Sequence, residues 1–141
     1  MKYFCNPILV AILVFCFSSP VFSQNTTTKE IERLKKIAQE VTIIRDNWGI
    51  AHVYGKTDAD AVFGMLYAQC EDDFKRVEMN YIEKLGRLSE INGKSVLYND
   101  LEIKLLIDVE EAKADYKKAA PWLKKLLNSY ADGINFYLHN H

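Results

Sequence analysis

Three kinds of side chain in this 141-residue sequence have chemistry to offer, and their spacing limits what each can do. Glu71-Asp72-Asp73 is a run of three carboxylates, the composition of a calcium site or of an acid–base pair. Adjacent residues on a helix point in different directions, so a helical run of this kind would not converge on one ion. The expected structure is a charged bend between two helical segments. Cys70 precedes it in the apolar run Tyr67-Ala68-Gln69-Cys70. A nucleophilic thiol needs a neighbouring base and a lowered pKa, and nothing nearby in the sequence supplies them. Cys70 therefore reads as a small core hydrophobe. His52 reads as a hydrogen-bonded structural histidine on a strand. As a metal ligand it lacks partners, because His139 and His141 lie at the far end of the chain. There is no GxSxG elbow, HExxH pair, phosphate-binding glycine loop or CxxC pair. No catalytic, cofactor-binding or metal-ligating residue is assigned to this sequence.

The elements that would position these groups begin with two short β-type runs, Val41 to Arg45 and Ile50 to Tyr54. Asp46-Asn47-Trp48-Gly49 between them has residue types suited to a turn, so the pair is expected to form a hairpin. Apolar side chains on both faces at Ile43-Ile44 place the first strand inside a sheet, and two strands alone are not stable in water. From Asp58 the apolar period changes from about two to about 3.6, which predicts a long helix with Asp58 and Asp60 at its N-terminus. Ala61 to Ala68 is apolar nearly all round, so burial on more than one side is expected. Beyond the charged bend, Phe74, Val77, Tyr81, Leu85 and Leu88 make a helical stripe that Gly86 and the Asn92-Gly93 turn close. A short helix around Leu101 and Leu105 follows, then a polar, lysine-rich one from Asp108 to Ala119. Pro121 is placed as the first residue of a last helix with the stripe Leu123, Leu126, Leu127, Tyr130, Ile134 and Tyr137. That stripe is still running at His141 with no stop signal, so the chain is expected to be part of a larger protein.

Composition sets the outer bounds. A formal net charge of −1 and 49% hydrophobic residues favour neither nucleic acid nor an acidic membrane, and allow one modest core. Residues 1–23 have the pattern of a secretory signal: Lys2, the apolar run Ile8 to Phe17, a break at Ser18-Ser19-Pro20, and Val21-Phe22-Ser23 before the expected cut. The apolar run is short for a membrane span. Cys5 and Cys16 would leave with the signal, so the mature chain from Gln24 would keep only Cys70 and form no internal disulfide. Residues 24–40 read as a polar leader and a short amphipathic helix to about Glu40. Thr27 and Glu30 have capping-box spacing, Ile31, Leu34, Ile37 and Ala38 lie on one face, and Lys29, Arg33, Lys35 and Lys36 form a solvated side.

Four patterns then give a family resemblance. Arg45-Asp46-Asn47-Trp48-Gly49-Ile50-Ala51-His52-Val53-Tyr54 resembles RDxxGxPHIY, and Gly64 to Asp72 is similar to GxGYAxAxD. Gly86-Arg87-Leu88-Ser89-Glu90 resembles GRxAE, and Tyr130 to Asn135 resembles YAxGxN. In this order and spacing they resemble the N-terminal part of the α-subunit of penicillin acylases, of the N-terminal-nucleophile hydrolase superfamily. Ala51 stands where the family has proline, Leu66 replaces a glycine, and Cys70 an alanine-like residue. If Leu66 and Cys70 face a substrate pocket, that pocket should be narrower.

The resemblance implies an α+β fold, an N-terminal fragment of an αββα sandwich, with residues 41–141 belonging to the α-subunit and supplying scaffold. It implies a zymogen cut into α- and β-subunits, and a serine outside this sequence that attacks an amide carbonyl with its own α-amine as base. The expected activity is hydrolysis of carbon–nitrogen bonds other than peptide bonds in linear amides. Substrates would be N-acylated small molecules such as β-lactam antibiotics or acyl-homoserine lactones, in the periplasm or outside the cell, as in antibiotic metabolism. No cofactor is expected, though a structural calcium elsewhere in the protein is compatible with the family. The expected partners are the substrate and the β-subunit, with no nucleic acid and, after signal cleavage, no membrane. The 141 residues alone are expected to be inactive and poorly folded. The alternative is an exported helical binding or interaction module without catalytic activity.

Overall fold

A computed structural model describes residues 28–141. The expected signal, its cleavage junction and Thr27 of the expected capping box lie outside the described residues. The first described element is helix α1 (Thr28–Ala38), which ends two residues before Glu40 in a turn closed by Glu40 N–H donating to Ile37 O. Leu34 is fully buried and Ile31, Ile37 and Ala38 are half-buried, so the predicted stripe faces the protein.

The hairpin forms as expected. Strands β1 (Val41–Arg45) and β2 (Ala51–Gly55) pair antiparallel, with Ile43 opposite Val53 and Ile44 opposite His52. The second strand begins one residue later than the sequence suggests because the Ile50 N–H donates to the Asp46 carboxylate, not to β1. Val41, Ile43, Ala51 and Val53 are half-buried, while Thr42, Ile44, His52 and Tyr54 point to the open face. Among the described residues this sheet has two strands.

Helix α2 (Asp58–Lys84) is the longest element. Thr57 caps it: its hydroxyl accepts from Asp60 N–H, and the Asp60 carboxylate accepts from Thr57 N–H, a reciprocal arrangement that satisfies two otherwise unpaired donors. The predicted charged bend is present. Asp73 leaves helical geometry (φ −160°, ψ 74°), and its carboxylate accepts from Arg76 N–H to restart the helix. The helix stops at Lys84, so Leu85 of the predicted stripe is its cap and Leu88 lies past its end. Gly86 (φ +62°) takes the left-handed position there, its N–H donating to Glu83 O while Arg87 N–H donates to Ile82 O.

Helix α3 (Ser89–Asn92), a 3₁₀ turn (Gly93–Val96), α4 (Leu97–Leu106) and α5 (Val109–Lys118) follow. The Asp108 carboxylate caps α5 through Glu110 and Glu111 N–H. Pro121 opens α6 (Pro121–Asn140) as predicted. Helix α6 packs on α2 around Leu66, Cys70 and Ile134, flanked by Val62, Phe74, Val77 and Tyr137. Aromatic pairs line the seam: Phe63 with Phe136 at 5.6 Å and Phe74 stacked on Tyr137 at 5.3 Å between ring centroids. The architecture is a hairpin laid on a bent helix, with α6 and α1 packed against that helix.

Candidate functional site

The four sequence patterns lie on or beside the bent helix, and several of their residues make the contacts that fix it. Arg45, at the end of β1, reaches across to α2. Its guanidinium donates to Gly49 O at 3.0 Å and to Glu71 Oε2 at 3.1 Å, pairs with Asp72 Oδ1 at 2.7 Å, and lies 3.5 Å from Ala68 O. One side chain thus ties the hairpin turn to the helix just before its break. Glu71 and Asp72 are turned to this arginine, and Asp73 is turned to Arg76, so the acidic run serves three structural bonds and does not gather around one point. Among the described residues no group of three or more His, Cys, Asp or Glu side chains could hold a metal ion.

Asp46 builds the turn. Its Oδ1 accepts from Trp48 N–H and Ile50 N–H, both at 2.9 Å, and its Oδ2 lies 3.3 Å from His52 Nε2. Desolvation pushes the Asp46 carboxyl up, but the Ile50, Trp48 and His52 hydrogen bonds outweigh it and hold the group below the usual carboxylate range. His52 is therefore hydrogen-bonded on its strand, as the sequence suggests. Gly49 (φ +83°) supplies the left-handed residue of the turn.

The glycines of the second and fourth patterns allow close approach. A Cβ on Gly64 would collide with Val41 Cγ1 and come within 2.7 Å of Val53 Cγ1, so the hairpin rests directly on the α2 backbone. A Cβ on Gly133 would collide with Phe63 O and come within 3.1 Å of Leu66 Cβ. The neighbouring Asp132 binds Arg33 of α1 through both oxygens, at 2.7 and 2.8 Å, which corrects the expectation of a plain solvated face there. That bond first, and the one to Glu30 second, raises the Arg33 pKa.

The third pattern is completed by a residue that sequence reading missed. Asp100 of α4, 2% exposed, accepts from Leu88 N–H at 2.8 Å and Ser89 N–H at 2.7 Å, while Arg87 pairs with Glu90 at 2.7 Å. The signal for Asp100 is faint: one acid near Leu97, Leu101 and Ile103, with Lys104 one turn further on.

Cys70 and Leu66 sit in the α2–α6 core, 0% and 1% exposed. The idea that they narrow a substrate pocket is corrected: their bulk fills the helix–helix seam, where an alanine and a glycine would leave space. Burial pushes the Cys70 thiol up, away from reactivity. In protein beginning at Gln24, Cys70 should resist a thiol-reactive dye in the native state and react on denaturation. Native labelling at the rate of a free thiol would refute its inert placement.

An open groove of about 420 Å³ lies between the hairpin tip and α2, lined by Trp48, Ile50, Met65, Gln69 and Asp72 among others. It holds no nucleophile paired with a base. What the first, second and fourth patterns build is a closely packed junction between strand pair and helices.

Comparison with known proteins places this junction. The family profile described as "Penicillin amidase" matches residues 40–141. An acyl-homoserine lactone acylase QuiP from Pseudomonas fluorescens is 30% identical over 79% of this chain and 14% of its own length. Penicillin G acylase from Escherichia coli is 23% identical over 92% of this chain and 14% of its own. This chain thus spans about a seventh of the curated relatives it matches. Among solved structures, a thermostable penicillin G acylase from Alcaligenes faecalis superposes with a TM-score of 0.65 at 20% identity. That match covers 71% of this chain and 53% of the solved one, and shows the same hairpin-and-helix fold.

Proposed function

Because the chain belongs to the penicillin amidase family, matched over residues 40–141, we propose that it is the scaffold part of an acylase that hydrolyses the amide bond of an N-acylated small molecule. The observation that carries this reading is the coincidence of the first, second and fourth patterns with one junction, in which Arg45, Gly64, Asp72 and Gly133 hold a hairpin and two helices in contact. Several curated relatives carry the name acyl-homoserine lactone acylase, which supports an acyl-homoserine lactone as the first substrate to try. A serine outside this sequence attacks the amide carbonyl with its α-amine as base. An α-amine suits that role because its ordinary pKa, near 8, lies close to working pH. Water then releases the acyl group as a carboxylate. The β-subunit cut from the same precursor supplies the nucleophile, and a calcium ion, where the protein has one, binds elsewhere.

The test is incubation of the protein as its gene encodes it with an N-acyl homoserine lactone and with a phenylacetylated amine. The expected products are free amine and carboxylate in equal amounts. Opening of the lactone ring with the amide intact, or no amine release from either substrate, would overturn the acylase reading.

We further propose export to the periplasm or beyond, on the pattern of residues 1–23. N-terminal sequencing of exported material should begin at Gln24. A mature protein that keeps Met1 to Phe17 would refute it.

A further inference from the structure

Two residues in this sequence combine a side chain that can close a ring on the main chain with a glycine next to them: Asn92 before Gly93, and Asp132 before Gly133. The ring forms when the glycine nitrogen attacks the side-chain Cγ, and glycine favours it because no Cβ blocks the approach. The fold treats the two pairs in opposite ways. Gly133 lies mid-way along α6 against Phe63 O and Leu66 Cβ, and Arg33 holds both Asp132 carboxylate oxygens. Ring closure there would need α6 to come apart at its seam with α2.

Asn92 is the last residue of the single-turn helix α3, with φ −97° and ψ 2°. At that ψ the Gly93 nitrogen is turned away from the Asn92 side chain, so the Cα–C bond must rotate before a ring can close. Gly93, at φ +72°, already stands outside helical geometry. Two bonds oppose the rotation: Gly93 N–H donates to Ser89 O, and the Ser95 hydroxyl donates to Asn92 O at 3.2 Å. Both belong to the turn itself, so they can break without disturbing the α2–α6 core. We infer that Asn92-Gly93 is a self-modifying site, at which Asn92 converts slowly to aspartate and isoaspartate at a rate set by the Ser89 and Ser95 bonds.

The step needs only water. Rotation frees the Gly93 N–H, hydroxide takes its proton, and the nitrogen forms a bond to Asn92 Cγ. The bond from Cγ to the side-chain nitrogen breaks, and ammonia leaves with a proton taken from water, which restores the hydroxide. Water then adds to one of the two ring carbonyls and breaks its bond to the ring nitrogen, giving aspartate or isoaspartate. Nothing is oxidised or reduced: one water is consumed, one ammonia is released, and a carboxylate is gained. That charge arises two residues from Glu90, the partner of Arg87. The isoaspartate form also adds a main-chain carbon inside the loop that Asp100 closes by accepting from Leu88 and Ser89 N–H.

Peptide mapping by mass spectrometry, with isoaspartate resolved by chromatography, tests this on the protein as its gene encodes it, held in mildly alkaline buffer. Asn92 should convert on the order of tenfold faster than Asn47, Asn80, Asn99, Asn128 or Asn135, each of which precedes a residue with a Cβ. Asp132 should not isomerise. Conversion of Asn92 at the pace of the others, or none, would overturn the proposal. Unfolding in urea should speed the Asn92 step by about tenfold or more, as expected for loss of two hydrogen bonds, and should start isomerisation at Asp132. Equal Asn92 rates in folded and unfolded protein would show that the turn does not control the step. Ser95→Ala removes one of the two bonds, so it should speed conversion a few-fold in the folded protein and not at all in urea. No acceleration in the folded protein, or the same acceleration in urea, would refute that control.

Discussion

Gly133→Ala is expected to destabilise the protein by about 2–3 kcal/mol, the cost of overpacking a closed seam. The sign is what makes the test sharp. Inside a helix, glycine to alanine ordinarily stabilises by about 1 kcal/mol, because alanine is the better helix former. Gly133 sits mid-way along α6 with no positive φ, so its backbone would accept alanine without strain. The new methyl, however, would meet the Phe63 carbonyl and Leu66 Cβ on the facing helix. A carbonyl held in a helical hydrogen-bond ladder has little room to yield, so α6 must move off α2 and loosen the contacts among Leu66, Cys70 and Ile134. Urea unfolding monitored by circular dichroism would measure the change. A midpoint equal to or above that of the unaltered protein would show that the helices are not in contact at this glycine.

Arg45→Met is the second large effect, a loss of about 1–3 kcal/mol. The substitution keeps an apolar stem of similar length but leaves Glu71 and Asp72 without their cation, and the Gly49 carbonyl without its donor. Isolated surface ion pairs contribute about 0–1 kcal/mol each. The larger figure follows from one partly buried guanidinium serving several acceptors at once, a geometry in which the fork of Arg is better organised than a lysine. A double-mutant cycle distinguishes this from simple loss of packing. Asp72→Asn should cost measurably less once Arg45 is already methionine, with a coupling of about 0.5 kcal/mol or more. Purely additive effects would mean that the bridge from hairpin to helix contributes nothing to stability.

Much of this arrangement is legible in the sequence because it depends on local pattern. The alternation around Ile43 and Val53 reports a strand pair, and the change of period at Asp58 reports a helix with Asp58 and Asp60 in its first turn. Three consecutive acids at 71–73 report a bend between two helical segments, and Pro121 reports the start of α6. All four needed only residues within a few positions of one another. What escaped was set by distance along the chain. Arg33 looks like one of several solvated cations, and only its meeting with Asp132, 99 residues later, makes it a tie between helices. Asp100 has its partners 11 and 12 residues earlier, beyond any helical repeat, so no spacing rule marks it. Leu66 and Cys70 were legible as departures from the family pattern, but the direction in which they point depends on the rotation of α2 against α6. Periodicity alone could not say whether they face a pocket or a core. The chemistry expected of the whole protein was legible through resemblance alone, because the junction built by these residues is structural.

The break at Asp73 has a consequence for how sequences of this kind should be compared. An uninterrupted helix has one rotational phase, and each residue added or removed turns everything beyond it by about 100°. Where the ladder stops and is capped anew, the phases of the two halves are set independently. Residues 58–72 answer to the hairpin and α6 together, whereas 74–84 answer to α6 alone through Phe74, Val77 and Tyr81. An inserted or deleted residue at the break could therefore be absorbed by a change in bend, while the same change at Gly64 would turn the hairpin seat away from Val41 and Val53. Alignment gaps belong at the joint, and the stretches on either side are best scored as two helices with separate registers.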